Sequence, residues 1–197
     1  MKKIFSTIFI AMYLITMLGC GSNSSKETSS KNDINEKIQQ DENKSKKVKS
    51  KFEDSNKGRV NIIKNYCEFT IIDTKFGKKI NPPKPKNIYT YYEAKEPGTI
   101  YFDTTIDVKS LLTEGRRANE FLSVKVIYNE KYEYRTFSAI EKDGGTNFNY
   151  TNITSIEPLK NGVIHFIAEV PNEVESDKKP LAVIISVNNR EFKYVVR

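Results

Sequence analysis

The chain has 197 residues, with 32 Lys and Arg against 25 Asp and Glu, a formal charge of +7, one histidine, two cysteines and no tryptophan. One His and two Cys supply neither a zinc ligand set nor a disulfide framework. The positive excess is not gathered on a single reading element, so nucleic acid is rejected as a partner, and no P-loop or dinucleotide fingerprint points to phosphate chemistry.

The first element is Met1-Lys2-Lys3 followed by Ile4 to Leu18, fifteen residues without a charge. A basic cap, a short apolar run and a small residue are the layout of a secretory signal. The run falls short of the ~20 residues that a membrane-crossing helix needs. It ends on Gly19-Cys20, which resembles the lipobox of bacterial lipoproteins; the resemblance implies residues 1–19 as a lipoprotein signal peptide and Cys20 as the lipidated residue. Met17 and Leu18 stand where such a cleavage motif more often has Leu and a small residue; the competing reading is an ordinary cysteine near a conventional cut site. Each buried methylene contributes ~0.8 kcal/mol, so two or three acyl chains hold a soluble domain on a bilayer where one is marginal. Lipid on Cys20 leaves Cys67 without a partner, and Cys67 then reads as a small buried apolar residue.

Residues 20–59 form the second element, a polar linker. Ser, Asn, Lys, Glu, Asp and Gln dominate it, with Ile34, Ile38, Val48 and Phe52 isolated among them. So little apolar surface cannot offset the entropy of ordering, and as a flexible coil the linker would span roughly 35 Å. Ten basic and seven acidic residues fall in 21–59, against twenty and eighteen in 60–197. Within the linker "KSKKVKSK" has no acid: it is either an extended solvated tether or a contact for anionic headgroups and wall polymers.

Residues 60–197 are expected to form one domain, large enough to bury a core unaided. The hydrophobic period is two. In "GTIYFDTTIDVKS" Ile100, Phe102, Thr104, Ile106 and Val108 share one face, and Tyr101, Asp103, Thr105 and Asp107 the other. "CEFTIIDTKF", "FLSVKVIYN", "KYEYRTFSAIE" and "GVIHFIAEVP" read as further strands, and "PLAVIISVNNREFKYVVR" as two strands joined at Asn188-Asn189. "KDGGTN" and "KNG" supply turns, and "DVKSLLTEGRRANEF" has room for one helical turn. Seven or eight strands of this kind predict an all-β domain of the β-sandwich kind.

Chemistry is sparse in this domain. His165 reads as a sheet-surface residue. Asp103 and Asp107 share a face but lie ~13 Å apart along a strand, beyond the ~5–9.5 Å that paired glycosidic carboxylates use. Asp143, Asn147 and Asn149 lack the spacing of a calcium loop. The most suggestive surface feature is "KFGKKINPPKPK": Lys75, Lys78, Lys79, Lys84 and Lys86 fall where no acid occurs between Asp73 and Glu93, and Pro82, Pro83 and Pro85 stiffen the loop towards polyproline II. These lysines are candidate polyanion-binding residues; the bland reading is Lys and Pro guarding an edge strand. The tyrosine groups at 89, 91 and 92 and at 128, 132 and 134 serve either recognition or half-buried strand positions.

The lipobox, the polar linker and a β domain carrying "IYTYYEAKEPGTIYFDTTIDVKSLL", "SVKVIYNEKYEYRTFSAIEKDG" and "NGVIHFIAEVP" before a terminal hairpin resemble the telokin-like, immunoglobulin-like lipoproteins of low-GC Gram-positive bacteria over Cys67 to Arg197. The resemblance implies a sandwich on the outer face of the cell membrane, without an assigned activity. The chain departs from antibody-type domains in having no Trp and no cysteine pair, so only architecture carries over. The expectation is a lipid-anchored, extracytoplasmic, non-enzymatic binding or assembly module with no cofactor or metal. Its partners are the membrane and an envelope protein or anionic wall polymer. The alternative is a cell-envelope enzyme whose site assembles from dispersed acids and His165.

Overall fold

The computed structural model describes residues 51–197; the signal peptide, Cys20 and the linker up to residue 50 lie outside the described residues. In chain order the strands are β1 (Glu53–Ser55), β2 (Val60–Ile63), β3 (Cys67–Gly77), β4 (Lys79–Ile80), β5 (Tyr92–Glu93), β6 (Thr99–Ser110), β7 (Arg116–Arg117), β8 (Ser123–Tyr128), β9 (Tyr132–Lys142), β10 (Asn147–Tyr150), β11 (Ser155–Ile156), β12 (Asn161–Pro171), β13 (Leu181–Val187) and β14 (Arg190–Val195). The helical turn foreseen after β6 is a single 3-10 turn, Ala118–Glu120, and a second short helix, α1 (Glu173–Ser176), follows β12. Among the described residues no helix is long and apolar enough to cross a membrane.

The fold is a β-sandwich made by one sheet folding over on itself. Its order is β1-β14-β13-β8-β9-β12-β6-β3-β2, with β10 hydrogen-bonded to β9. The corner is β9: Tyr132 to Arg135 pair with β8, whereas Thr136 to Ile140 pair with β12. One layer contributes Phe69, Ile71, Ile106, Val108, Ile164 and Phe166 to the core, and the other Val124, Val126, Leu181, Val183, Ile185 and Phe192. Phe69 and Phe192 meet edge to face between the layers, with ring centroids 5.1 Å apart. Each such buried side chain contributes ~1.5–3 kcal/mol, which is how the domain holds without a disulfide.

The hairpin turn at Asn188-Asn189 is as the sequence predicts. Both residues have positive φ, 45° and 63°, and Val187 pairs with Arg190 across them. The paired left-handed residues match a type I′ turn, whose twist suits the flanking strands.

Two parts of the fold depart from the sequence reading. The first is β1, which lies inside the segment assigned to the linker and pairs in parallel with β14, Glu53 opposite Phe192 and Ser55 opposite Tyr194. Only Ser55 of its three residues is buried, so backbone pairing carries the strand and no apolar alternation announces it. The free edges of β1 and β2 come together: Asn61 donates to Ser55 Oγ at 2.9 Å, and Arg190 donates to Glu53 and to the Ile62 carbonyl.

The second departure is a cover over the outer face of β6, β9 and β12. Residues 78–98 fold back as a strap whose ends are zipped by β4 and β5. Ile80, Ala94, Tyr101, Ala139, Phe148 and Ile167, with Tyr92 against them, form a second, smaller core beneath the strap. The alternation read for β6 and β12 is correct, but both of their faces are buried. Asp103, Thr105 and His165, expected at a solvated surface, are therefore inside the protein.

Candidate functional site

Three neighbouring strands bring Asp103, His165 and Glu141 into one line. On β12, His165 stands opposite Thr105 of β6 and Ala139 of β9. Asp103 lies two residues before Thr105 and Glu141 two residues after Ala139, so both share its face. His165 Nδ1 is 2.8 Å from Asp103 Oδ2, and Nε2 is 3.1 Å from Glu141 Oε1. The imidazole is 3% exposed and the Asp103 carboxyl fully buried. The Phe148 ring stands edge-on to the imidazole at 4.9 Å.

A β-bulge supplies the fourth member. Along β3, Phe69 and Ile71 face the core opposite Val108 and Ile106, but the register shifts between Ile71 and Asp73. One extra residue reverses the alternation, so Asp73 and Lys75 turn outward opposite Thr105 and Asp103. Lys75 Nζ thereby reaches to 3.9 Å from Asp103 Oδ2. With the imidazole protonated, the group holds two cations and two anions.

The electrostatics favour that state. Burial pushes His165 towards the neutral form, but the hydrogen bonds and charges of Asp103 and Glu141 outweigh it and hold its pKa above the ordinary histidine value. An imidazole with a carboxylate on each nitrogen donates both hydrogen bonds only when it carries both protons. The arrangement is a clamp binding four strands, β3, β6, β9 and β12, beneath the strap.

As a catalytic relay the group lacks parts. A nucleophile would need a free imidazole nitrogen as its base, and both nitrogens face carboxylates. The Thr105 hydroxyl lies 3.3 Å from Nδ1, the nitrogen that Asp103 already engages. Among the described residues no three His, Cys, Asp or Glu side chains converge on a metal position; here the acids flank the ring on opposite sides. Cys67 is buried in the main core, where burial pushes its thiol up to about 12, and a thiol in that state is inert. A groove of about 490 Å³ lies on the outer face of β8, β13 and β14 and shares no residue with the clamp.

The five lysines of the basic stretch have separate roles. Lys75 serves the clamp, Lys78 donates to the carbonyls of Glu96 and Thr99, and Lys79 stacks on the Tyr91 ring 3.6 Å from its centre. Lys84 and Lys86 are exposed on the strap. The strap itself is pinned at two points: the Lys84 amide donates to the Gly145 carbonyl at 2.8 Å, and the Thr90 amide donates to Asn147 Oδ1 at 2.8 Å. Between the pins, Asn87 is left-handed with φ 51° and Ile88 is 97% exposed. The sequence reading singled out the lysines and prolines of this loop; the isoleucine at its tip went unnoticed, although its place between "PKPKN" and "YTYY" was the available signal.

No protein-family model matches this chain, and no curated protein does. Among solved structures it is similar to an uncharacterized β-sandwich protein from Clostridium difficile 630, at 28% identity over 74% of this chain and 96% of that one, with a TM-score of 0.67. A conserved hypothetical protein from Bacillus anthracis is 11% identical over 71% of this chain and 92% of that one, with a TM-score of 0.49. The β-sandwich is what the chain shares with the first of these structures.

Proposed function

We propose that the protein is a lipoprotein of the telokin-like, immunoglobulin-like kind, anchored through Cys20 outside the cell membrane, and that it acts as a non-enzymatic binding module whose contact element is the strap. The observation that supports this most directly is the strap's tip. It is held by hydrogen bonds from the Lys84 amide to a backbone carbonyl and from the Thr90 amide to the Asn147 side chain, stiffened by Pro83 and Pro85, and presents Lys84, Lys86 and Ile88 to solvent. A preorganised loop loses little entropy on binding. Its cations suit an anionic envelope surface, whether wall polymer or lipid headgroup. Against an envelope enzyme stand the occupied nitrogens of His165 and its burial.

Two measurements test the reading separately. Labelled palmitate should be incorporated by the natural chain and not by Cys20→Ala, which should leave the membrane fraction; membrane retention of that variant without label removes the anchor. Binding to anionic envelope polymers or vesicles should fall with salt and fall further in Lys84→Gln/Lys86→Gln. Equal binding by the double variant removes the strap as contact element.

A further inference from the structure

The geometry points to a bilayer as the surface that the strap contacts: we propose that Ile88 enters the interface of an anionic membrane while Lys84 and Lys86 hold its headgroups. This rests on the reading of the strap as the contact element and is independent of the anchor at Cys20.

A phosphate-bearing polymer would be recognised by lysines alone and gives no reason for an isoleucine at the apex. Among the described residues Ile88 is the most exposed of the large apolar side chains, at 97%. The chain holds it outward through the left-handed Asn87, between the Lys84 and Thr90 pins. Tyr89 and Tyr91 follow it in the chain with ring centroids 6.3 Å apart, and the Lys79 ammonium rests on Tyr91. An aliphatic tip, tyrosines one step behind and lysines at the flank follow the polarity gradient of a membrane interface, where aromatic rings sit at headgroup level and lysines reach the phosphates. The stretch between Asp73 and Glu93 contains no acid to repel an anionic leaflet. Each lysine near such a surface contributes roughly fivefold in affinity, so the pair supplies attraction and the isoleucine supplies insertion.

The absence of tryptophan from the chain makes a site-specific test possible. In Ile88→Trp the only indole reports on the tip, whatever else in the full chain adheres to lipid. Ile153→Trp, at a position 70% exposed outside the strap, is the control. With phosphatidylglycerol-rich vesicles the emission of Ile88→Trp should shift to the blue and be quenched by brominated acyl chains. Ile153→Trp should not change. Adding Lys84→Gln and Lys86→Gln should weaken the response roughly 25-fold. Protein that sediments with the vesicles while the tip indole stays unshifted overturns insertion, the attachment then coming from another part of the chain or from the lysines alone. A response to soluble poly(glycerol phosphate) and none to vesicles overturns the bilayer and leaves the strap as a polymer contact. No response to either surface overturns both this inference and the strap as contact element, and palmitate labelling still decides the anchor on its own. Circular dichroism and unfolding midpoints matching the natural chain establish that the variants fold.

Discussion

Asp103 and His165 lie across β6 and β12 with 2.8 Å between Oδ2 and Nδ1, and both side chains are sealed from solvent. Glu141 engages the opposite nitrogen, and Lys75 flanks Asp103. These are the charged groups facing the imidazole from β3, β6 and β9. Their sign gives the domain a pH dependence. A histidine whose folded pKa lies above its unfolded value of about 6.5 contributes stability that is fully present below that value and is lost as pH rises through the folded pKa. Urea unfolding between pH 5.5 and 9 should therefore show stability declining upward through the range above 6.5. In His165→Gln that decline should be absent. A natural chain equally stable or more stable at pH 9 would contradict the imidazolium clamp.

Removing the ring leaves two carboxylates without their cation. His165→Leu should destabilise the domain at pH 7 by about 3–5 kcal/mol, the range for breaking a buried ion pair from one side. Adding Asp103→Asn and Glu141→Gln to that variant should recover part of the loss, because the uncompensated charge goes with them. Denaturant midpoints of the natural chain, His165→Leu, Asp103→Asn/Glu141→Gln and the triple variant measure the coupling; strict additivity would mean that the three side chains do not act together.

The clamp illustrates where the sequence was readable and where it was not. Strict alternation in "GTIYFDTTIDVKS" and "GVIHFIAEVP" assigned residues to the correct faces of β6 and β12, because a sheet's period of two is local. Whether the second face meets water depends on residues 78–98 folding back, a long-range event with no local periodicity. Lys75 beside Asp103 depends on one bulged residue in β3; the adjacent apolar pair Ile71-Ile72 and the change of parity from Phe69 to Phe76 mark the break, but which side chain Lys75 then meets is decided by the neighbouring strand. The strap was legible as a stiff basic loop from Pro82, Pro83 and Pro85, but the separate uses of its lysines are fixed by carbonyls and rings contributed from elsewhere.

Gly145 governs how the strap seats. Its φ is +89°, and a Cβ there would stand 2.7 Å from Pro83 Cγ and 2.8 Å from Glu141 Oε2. Gly145→Ala therefore combines left-handed strain with a clash against a rigid ring, and should cost about 1–3 kcal/mol. Gly144, also left-handed at +71°, has open space around it; Gly144→Ala carries only the conformational part, ~1 kcal/mol. Hydrogen exchange at the Lys84 amide, which donates to Gly145, should speed up in the first variant and stay near the natural rate in the second. Equal effects on that amide would show that Pro83 does not rest on Gly145.

At the seam where β1 meets β2, the conspicuous contact should be the weaker one. Arg190 grips both carboxylate oxygens of Glu53, at 2.7 and 2.6 Å, but the two side chains are 42% and 48% exposed. An exposed pair of this kind is worth up to about 1 kcal/mol and is screened by salt. Asn61 is buried, and its amide donates to Ser55 Oγ and to the Arg59 carbonyl. Ser55→Ala withdraws one acceptor from that buried amide and should cost ~1–3 kcal/mol, the penalty for leaving such a group underbonded. Glu53→Gln should then shift the unfolding midpoint less than Ser55→Ala does, and the gap should widen in 0.5 M salt, where the ion pair is screened while the buried hydrogen bond is not. A larger loss from Glu53→Gln, persisting at high salt, would show that the edge is held by the arginine grip and not by the buried amide.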